Sequence, residues 1–140
     1  MARKPLLVQE KAHALLVQVD RAAKLIKGSQ YGELRKQLFK SSLSIVSNIG
    51  EGRGKGGDVE FLRFLRIASG SAGELEEQIR MCAECGLIRS NVAQELHERA
   101  SEVGKMLYGL IEKISTDLGL TVEKNESGEE LPPAPPPDNS

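Results

Sequence analysis

Apolar residues recur along the chain in alternating steps of four and three, the spacing that places side chains on one side of an α-helix. Four segments show this pattern, and the connections between them are short, so consecutive helices are expected to be antiparallel neighbours. The pattern predicts an all-α protein, an up-down-up-down four-helix bundle. The four apolar seams are Val8, Ala12, Leu15, Val19, Ala22 and Ile26; Leu34, Leu38, Ser41, Ile45 and Asn48; Phe61, Leu65, Ala68, Ala72, Leu75, Ile79 and Cys82; and Val92, Leu96, Val103, Leu107, Leu110 and Ile114.

Capping residues mark the predicted helix boundaries. Gly28 is placed to end the first helix, and Ser29 is a plausible N-cap for the second. The third helix starts near Asp58, and Ser90 or Asn91 caps the fourth. A helix with two apolar stripes packs against two neighbours, and the second helix has a second stripe of Phe39, Ser42, Val46 and Ile49.

The chain divides into a bundle over residues 1–120 and a tail over residues 121–140. A hydrophobic content of 39% in 140 residues suffices for one core. The tail is acidic and proline-rich, and because it buries too little apolar area to offset its ordering entropy, we expect it to be disordered. Pro132 and Pro135 have the PxxP spacing of polyproline ligands, yet composition alone explains a solvating tail.

The sequence was also searched for membrane-spanning segments and for a signal peptide. No apolar run approaches the ~18 residues of a membrane span. The apolar run near the N-terminus is interrupted by Gln9, Glu10 and Lys11, too early for a signal peptide. We therefore expect a soluble, cytoplasmic protein without a membrane partner.

The net charge of −1 conceals a gradient along the chain. Residues 1–56 carry a net +7, residues 57–118 a net −4 and residues 119–140 a net −4. Such asymmetry favours a polyanionic partner, RNA or DNA, contacted mainly through its phosphates because no aromatic residues are interleaved with the charges. The candidate nucleic-acid-binding residues are Lys4, Lys11, Arg21, Lys24, Lys27, Lys36, Lys40, Arg53 and Lys55.

A glycine-rich break separates the second and third helices. Gly52, Gly54 and Gly57 spell GxGxxG, but the dinucleotide fingerprint needs a preceding β-strand, and here a helix precedes it. Arg53 and Lys55 beside the first amides of the third helix would make a weak anion site. A basic flexible turn is the alternative interpretation.

Catalytic and metal motifs are incomplete. Glu10 and His13 form one Glu-x-x-His, whereas a di-iron bundle needs two, and His97 lacks the matching glutamate. Cys82 and Cys85 form a CxxC near a helix C-terminus, the end opposite to that of redox pairs, and no second Cys or His pair completes a zinc site. We expect no enzymatic activity, no metal and no cofactor.

Polar residues also fall near the seams of the second and third helices. A buried carboxylate at Glu74 would need donors such as Arg63, Asn48 or nearby serines. Such a network would fix register more than add stability, and a ligand pocket is the alternative interpretation. The predicted polar core is Asn48, Glu51, Arg63, Ser71 and Glu74.

The same region carries a family likeness. Its motif residues are Asn48-Ile49-Gly50-Glu51-Gly52, Phe61, Arg63-Phe64-Leu65, Ile67-Ala68, Gly70-Ser71 and Glu74-Leu75. The chain resembles the four helix bundle protein family, also named for proteins encoded in intervening sequences of bacterial large-subunit ribosomal RNA genes. The resemblance implies a small bundle that assembles into a ring, typically a homopentamer, without enzymatic activity.

A related branch is the accessory variability determinant of diversity-generating retroelements, which binds its reverse transcriptase and RNA through a basic surface. The leading hypothesis is therefore a ring-forming bundle that binds structured RNA through its basic N-terminal half. The alternative is a protein-interaction scaffold without direct nucleic-acid contact.

Overall fold

The computed structural model describes residues 6–54 and 56–120, which form four α-helices. Each helix packs against two neighbours, in the cyclic order α1, α2, α3, α4. This arrangement is the bundle that the apolar periodicity predicts. The helices are α1 (Leu7–Lys24), α2 (Gly32–Gly54), α3 (Asp58–Glu84) and α4 (Ser90–Asp117), with a 3₁₀ turn at Ser29–Tyr31 before α2.

The core lies between the four helices and consists of aliphatic side chains. Every seam residue predicted for α1 and α3 is buried, and Leu65 and Leu75 have no exposed surface at all. Burial of a leucine or isoleucine side chain contributes about 1.5–3 kcal/mol, so the buried seams of the four helices together supply the main driving force for the fold. No helix within the described residues is long and apolar enough to cross a membrane.

The structure corrects two predictions about α4. Val92 is 37% exposed, while its neighbour Ala93 is buried. The seam runs through Ala93, Leu96 and Ala100 in steps of three and four, so Val92 is rotated about 100° away from the core. The helix also begins at Ser90 itself, since Arg89 occupies the N-cap position without a side-chain cap.

The α1–α2 connection is held by an arginine instead of the predicted Ser29 cap. Ser29 begins the 3₁₀ turn and makes no capping bond for α2, which starts at Gly32. The Arg35 guanidinium donates hydrogen bonds to the carbonyl oxygens of Ile26 at 2.7 Å and Gly28 at 3.0 Å. Both carbonyl groups lie in the connection after α1, and the Gly28 carbonyl oxygen also accepts a hydrogen bond from the Tyr31 N–H at 3.1 Å. Arg35 therefore ties the first turn of α2 to this connection.

Gly52 allows the end of α2 to approach α3 closely. A Cβ atom at this position would lie 2.8 Å from the Phe64 Cβ and 2.9 Å from the Phe61 Cδ1. Contacts this short force a shift of one helix against the other. Gly52, the first glycine of the apparent nucleotide fingerprint, is therefore a packing residue.

We predict that Gly52→Ala destabilises the bundle by about 1–3 kcal/mol through overpacking. Gly50→Ala is the matched control, because a Cβ at Gly50 meets nothing within 4 Å. The control should stabilise the protein by about 0.5–1 kcal/mol, since glycine inside a helix costs conformational entropy. Urea unfolding followed by circular dichroism measures both values, and equal changes in the two variants would contradict the packing role.

Candidate nucleic-acid interface

Four of the predicted cations lie exposed at one end of the bundle. Arg21 lies in the last turn of α1 and Lys27 in the connection to α2, while Lys36 and Lys40 lie in the first half of α2. Within residues 6–54 and 56–120, none of the four belongs to an ion pair. We call these four residues the cationic surface.

Three other predicted cations are engaged within the fold. Lys11 pairs with Glu102 and so connects α1 to α4. The Lys24 Nζ lies 2.8 Å from an Asp20 carboxylate oxygen, and the Arg53 guanidinium donates to the Gln9 Oε1 at 2.8 Å. The two surface ion pairs contribute about 0–1 kcal/mol each. A ligand that contacts these three cations must first displace these weak contacts, which the sequence does not reveal.

The two remaining predicted cations, Lys4 and Lys55, lie outside the described residues, as does the tail predicted for residues 121–140. Of the two residues predicted to form an anion site, Arg53 lies within the described residues and Lys55 does not. The Arg53 guanidinium donates a hydrogen bond to the Gln9 side chain.

The bundle is electrically polarised. Residues 6–54, which we call the α1–α2 hairpin, carry eight Lys and Arg against four Asp and Glu, a net +4. Residues 56–120, which contain α3 and α4, carry seven against eleven, a net −4. An approaching polyanion is therefore attracted to the hairpin and repelled by the opposite half.

Exposed apolar side chains lie beside the lysines of α2. Phe39 is 42% exposed and Leu43 is 41% exposed. The second apolar stripe was predicted to include Phe39, but α2 packs through Leu38, Ser42 and Ile49, and the adjacent Phe39 is rotated outward. An aromatic ring thus lies among the cations, contrary to the prediction from sequence.

Part of the predicted polar core exists as a small cluster between α2 and α3. The hydroxyl groups of Ser44 and Ser71 are 2.7 Å apart. The Asn48 amide donates to the Ser44 carbonyl oxygen at 2.8 Å and to its hydroxyl at 3.1 Å. Ser44 was missed from the sequence, although its position four residues before Asn48 places both on one side of α2. The cluster favours one register of α2 against α3.

The other three members of the predicted polar core are exposed. Glu74 directly precedes the seam residue Leu75 and is rotated toward solvent, where it accepts a hydrogen bond from Gln78 at 3.3 Å. Arg63 pairs with Glu60 at 3.1 Å and lies 4.5 Å from the centre of the Phe64 ring. Glu51 is exposed near the end of α2. The prediction of a buried carboxylate is therefore wrong.

The cysteines differ in environment. Cys82 is buried and Cys85 is exposed. Burial raises the pKa of the Cys82 thiol, and the neighbouring Cys85 raises it further. Cys82 therefore remains a neutral thiol at pH 7 and packs as a small apolar residue. Within the described residues, no three His, Cys, Asp or Glu side chains are grouped as metal ligands.

These features define a small all-helical bundle with one cationic helical hairpin. The family model of the 23S rRNA-intervening sequence protein matches residues 4–109, and the chain belongs to this family, as the resemblance predicted. A solved structure from Bacteroides thetaiotaomicron, described as a protein with unknown function from the S23 ribosomal protein family, is similar with a TM-score of 0.70 and 24% identity, over 75% of this chain and 98% of that chain. That similarity supports the fold. A comparison with curated proteins finds no match.

We predict that Ser71→Ala costs about 0.5–1.5 kcal/mol more than Ser69→Ala, because it leaves the Ser44 hydroxyl without its partner on α3. Ser69 is half-buried on the same helix and lies outside the cluster. Both variants make the same change in helix propensity, so the difference between their free energies of unfolding reports the lost hydrogen bond. Chemical denaturation of both proteins is the measurement. Indistinguishable unfolding midpoints would show that the Ser44–Ser71 hydrogen bond does not stabilise the packing of α2 against α3.

Proposed function

We propose that this protein is a non-enzymatic bundle that binds structured RNA through the cationic surface of its α1–α2 hairpin. The observation that carries the proposal is the exposure of Arg21, Lys27, Lys36 and Lys40 without acidic partners among the described residues. A phosphate that contacts these groups displaces counterions and does not have to break an existing ion pair.

The hairpin offers two kinds of contact to RNA. Lys36 and Lys40 are four residues apart and lie along one strip of α2, where they suit successive backbone contacts. Phe39 lies beside them with 42% of its surface exposed, and an unpaired base can stack on such a ring. This combination favours RNA with loops or bulges over regular duplex.

The family to which the chain belongs takes its name from an intervening sequence of 23S rRNA, where its members are encoded, and we propose RNA in preference to DNA as the ligand. We further propose that the chain assembles into a ring, with five copies as the expected number. A closed ring repeats the cationic surface around its axis, so several weak phosphate contacts add up on one RNA. A reverse transcriptase is the proposed protein partner if the chain serves a diversity-generating retroelement.

We predict that the double variant Lys36→Glu/Lys40→Glu weakens RNA binding at least about 10-fold at low salt, because two phosphate contacts become repulsive. The matched control is Lys105→Glu/Lys113→Glu, which makes the same charge change at exposed positions of α4. Fluorescence anisotropy with a stem-loop RNA at about 50 mM and 200 mM salt measures the RNA affinity of both double variants. No binding by the unmodified protein, or equal losses in the two variants, would refute the proposed surface.

We predict a particle mass near five times the 15.2 kDa of one chain, about 76 kDa. Size-exclusion chromatography with light scattering at micromolar concentration gives this mass directly. A monomer under these conditions would exclude the ring.

A protein-interaction scaffold is the second candidate, and the exposed Phe39 and Leu43 favour it. A scaffold contacts its partner through apolar surface instead of charge. A complex with a reverse transcriptase that survives Lys36→Glu/Lys40→Glu but not Phe39→Ser/Leu43→Ser would support this alternative.

A further inference from the structure

We propose that the outer face of α1 docks on the outer face of α3 of a second copy of this chain, and that this contact closes the ring. That a ring exists rests on the proposed function, whereas the choice of the two faces rests on the described residues. The outer face of α1 consists of Glu10, Ala14, Val17, Arg21 and Leu25, and the outer face of α3 consists of Arg66, Gly70, Gly73, Glu77 and Met81. All ten residues are exposed.

The outer face of α1 is a partly apolar stripe without a neighbour in its own chain. It faces away from the buried seam that contains Leu15 and Val19, and its residues follow one another in steps of four and three. Val17 is 49% exposed, and Leu25, directly after the helix, is 75% exposed. The helices that α1 contacts within the described residues, α2 and α4, cover its other sides. This face therefore suits a further helix.

The two outer faces match residue by residue. Both run in steps of 4, 3, 4 and 4, so a parallel alignment keeps a constant offset of 56 positions. In this alignment each charge meets its opposite, and each apolar or small residue meets another. The five opposed pairs are Glu10 and Arg66, Ala14 and Gly70, Val17 and Gly73, Arg21 and Glu77, and Leu25 and Met81.

Both opposed charge pairs can form without breaking a buried contact. Neither Glu10 nor Arg66 belongs to an ion pair among the described residues, and Glu77 makes a surface pair with Arg80 at 3.1 Å. The alignment also brings Lys24 to the level of Arg80, but each of these cations already pairs with a carboxylate on its own helix. Like charges at that level are therefore locally compensated.

Two glycines on the outer face of α3 support the contact. Gly70 and Gly73 lie in the interior of α3, where glycine costs conformational entropy, and a Cβ at either position would meet nothing within 4 Å. No contact within the chain therefore explains their small size. A second helix can approach closely where side chains are missing, and the opposed Ala14 and Val17 are compact.

A closed ring requires nearly the same register that the side chains select. Rotation about an axis parallel to the helices moves no residue along that axis. Helix α1 of one copy must therefore meet α3 of the next copy at the level that the two helices hold within one chain. The two helices run parallel, since consecutive helices of the bundle are antiparallel.

Contacts through α2 give one value for this level. Arg53 on α2 donates to Gln9 on α1, and Ser44 lies nine residues before Arg53. Because α2 is antiparallel to α1, Ser44 is level with Gln18, nine residues after Gln9. Ser44 also bonds to Ser71 on α3, so this path gives an offset of 53 positions between α1 and α3.

Contacts through α4 give a second value. Lys11 pairs with Glu102, so Gly104, two residues later on the antiparallel α4, is level with Gln9. A Cβ at Gly104 would lie 3.9 Å from the Ala72 Cβ, which gives an offset of 63 positions. The offset of 56 selected by the side chains lies between the two values, so the contact closes with little displacement along the ring axis.

The contact joins halves of opposite net charge. The α1–α2 hairpin carries +4 over residues 6–54, and residues 56–120 carry −4, so the field orients the hairpin of one copy toward α3 of the next. Lys36 and Lys40 lie on α2, outside the contact, and remain available to RNA. Arg21 instead pairs with Glu77 of the second copy.

Charge exchange tests the contact at constant net charge. The double variant Glu10→Arg/Arg21→Glu places like charges opposite Arg66 and Glu77 of the second copy, so the concentration at half-assembly should rise at least about 10-fold. Adding Arg66→Glu/Glu77→Arg restores opposite charges, and this quadruple variant should return to within about 3-fold of the unmodified chain. Light scattering over a dilution series measures assembly, and circular dichroism checks that each variant is folded.

The dilution series also identifies the occupant of the α1 face. Two antiparallel α1 helices would place Glu10 opposite Arg21 reciprocally, and the double exchange leaves such a pairing intact. Assembly that persists unchanged in the double variant would therefore overturn the contact with α3. Loss of assembly that the folded quadruple variant does not reverse would overturn it as well, and a monomeric unmodified chain would exclude both the ring and this contact.

Disulfide formation tests the register without any charge exchange. In a Cys85→Ser background, the remaining Cys82 is buried. Val17→Cys/Gly73→Cys should form covalent multimers under mild oxidation, because a disulfide needs Cα atoms within about 7 Å. The control is Val17→Cys/Glu84→Cys, since Glu84 lies eleven residues, about 16 Å, further along α3. No multimers in the test pair, equal multimers in the control, or dimers of Val17→Cys alone would contradict the contact.

RNA binding separates this contact from the proposed function. Dissociation by the double exchange and recovery in the quadruple variant, without binding of a stem-loop RNA by the unmodified chain, would refute the RNA-binding function and leave the contact intact. Salt-sensitive RNA binding by a chain whose assembly survives the double exchange would overturn the contact and leave the function in place.

Discussion

The packing of α2 against α1 on one side and α3 on the other is the constraint on which the structure depends. Leu38, Ile45 and Ile49 are buried between these neighbours, and Gly52 brings the end of α2 against the two phenylalanines of α3. Only one strip of α2 is left facing solvent, and its middle part carries Lys36, Phe39, Lys40 and Leu43, between the exposed Glu33 and Glu51. Two-sided burial therefore determines which side chains of α2 a ligand meets, and the middle of the exposed strip is both cationic and partly apolar.

Electrostatics divides the basic residues into two groups. Some connect parts of the fold, as Lys11 does with Glu102 on α4 and Arg35 does with the carbonyl groups of the α1–α2 connection. The others project from the hairpin and form no ion pair among the described residues. Because α3 and α4 are acidic, the field of the bundle is directional, which orients any polyanion before contact is made.

The bundle and the seams of α1 and α3 are predictable from sequence because each seam repeats in steps of three and four over five or more turns. A single-residue error of phase misplaced Val92, whose neighbour Ala93 is buried instead. Glu74 was expected to be buried beside the correctly predicted seam residue Leu75, but it is exposed. Contacts between distant residues left no local signal. Lys11 meets a glutamate 91 positions later and Arg53 a glutamine 44 positions earlier, so the sequence overestimated the available cations. The family itself was identifiable because its motif residues lie in the tightly packed α2–α3 pair.

Ultraviolet crosslinking of the full chain to a stem-loop RNA, followed by mass spectrometric mapping of the modified peptides, tests the central claim most directly. Binding through the cationic hairpin predicts crosslinks within residues 21–43, with Phe39 among the modified residues, and their loss as the ionic strength rises. Crosslinks that map to α3 and α4, or that persist unchanged in high salt, would contradict a cationic hairpin as the RNA-binding surface.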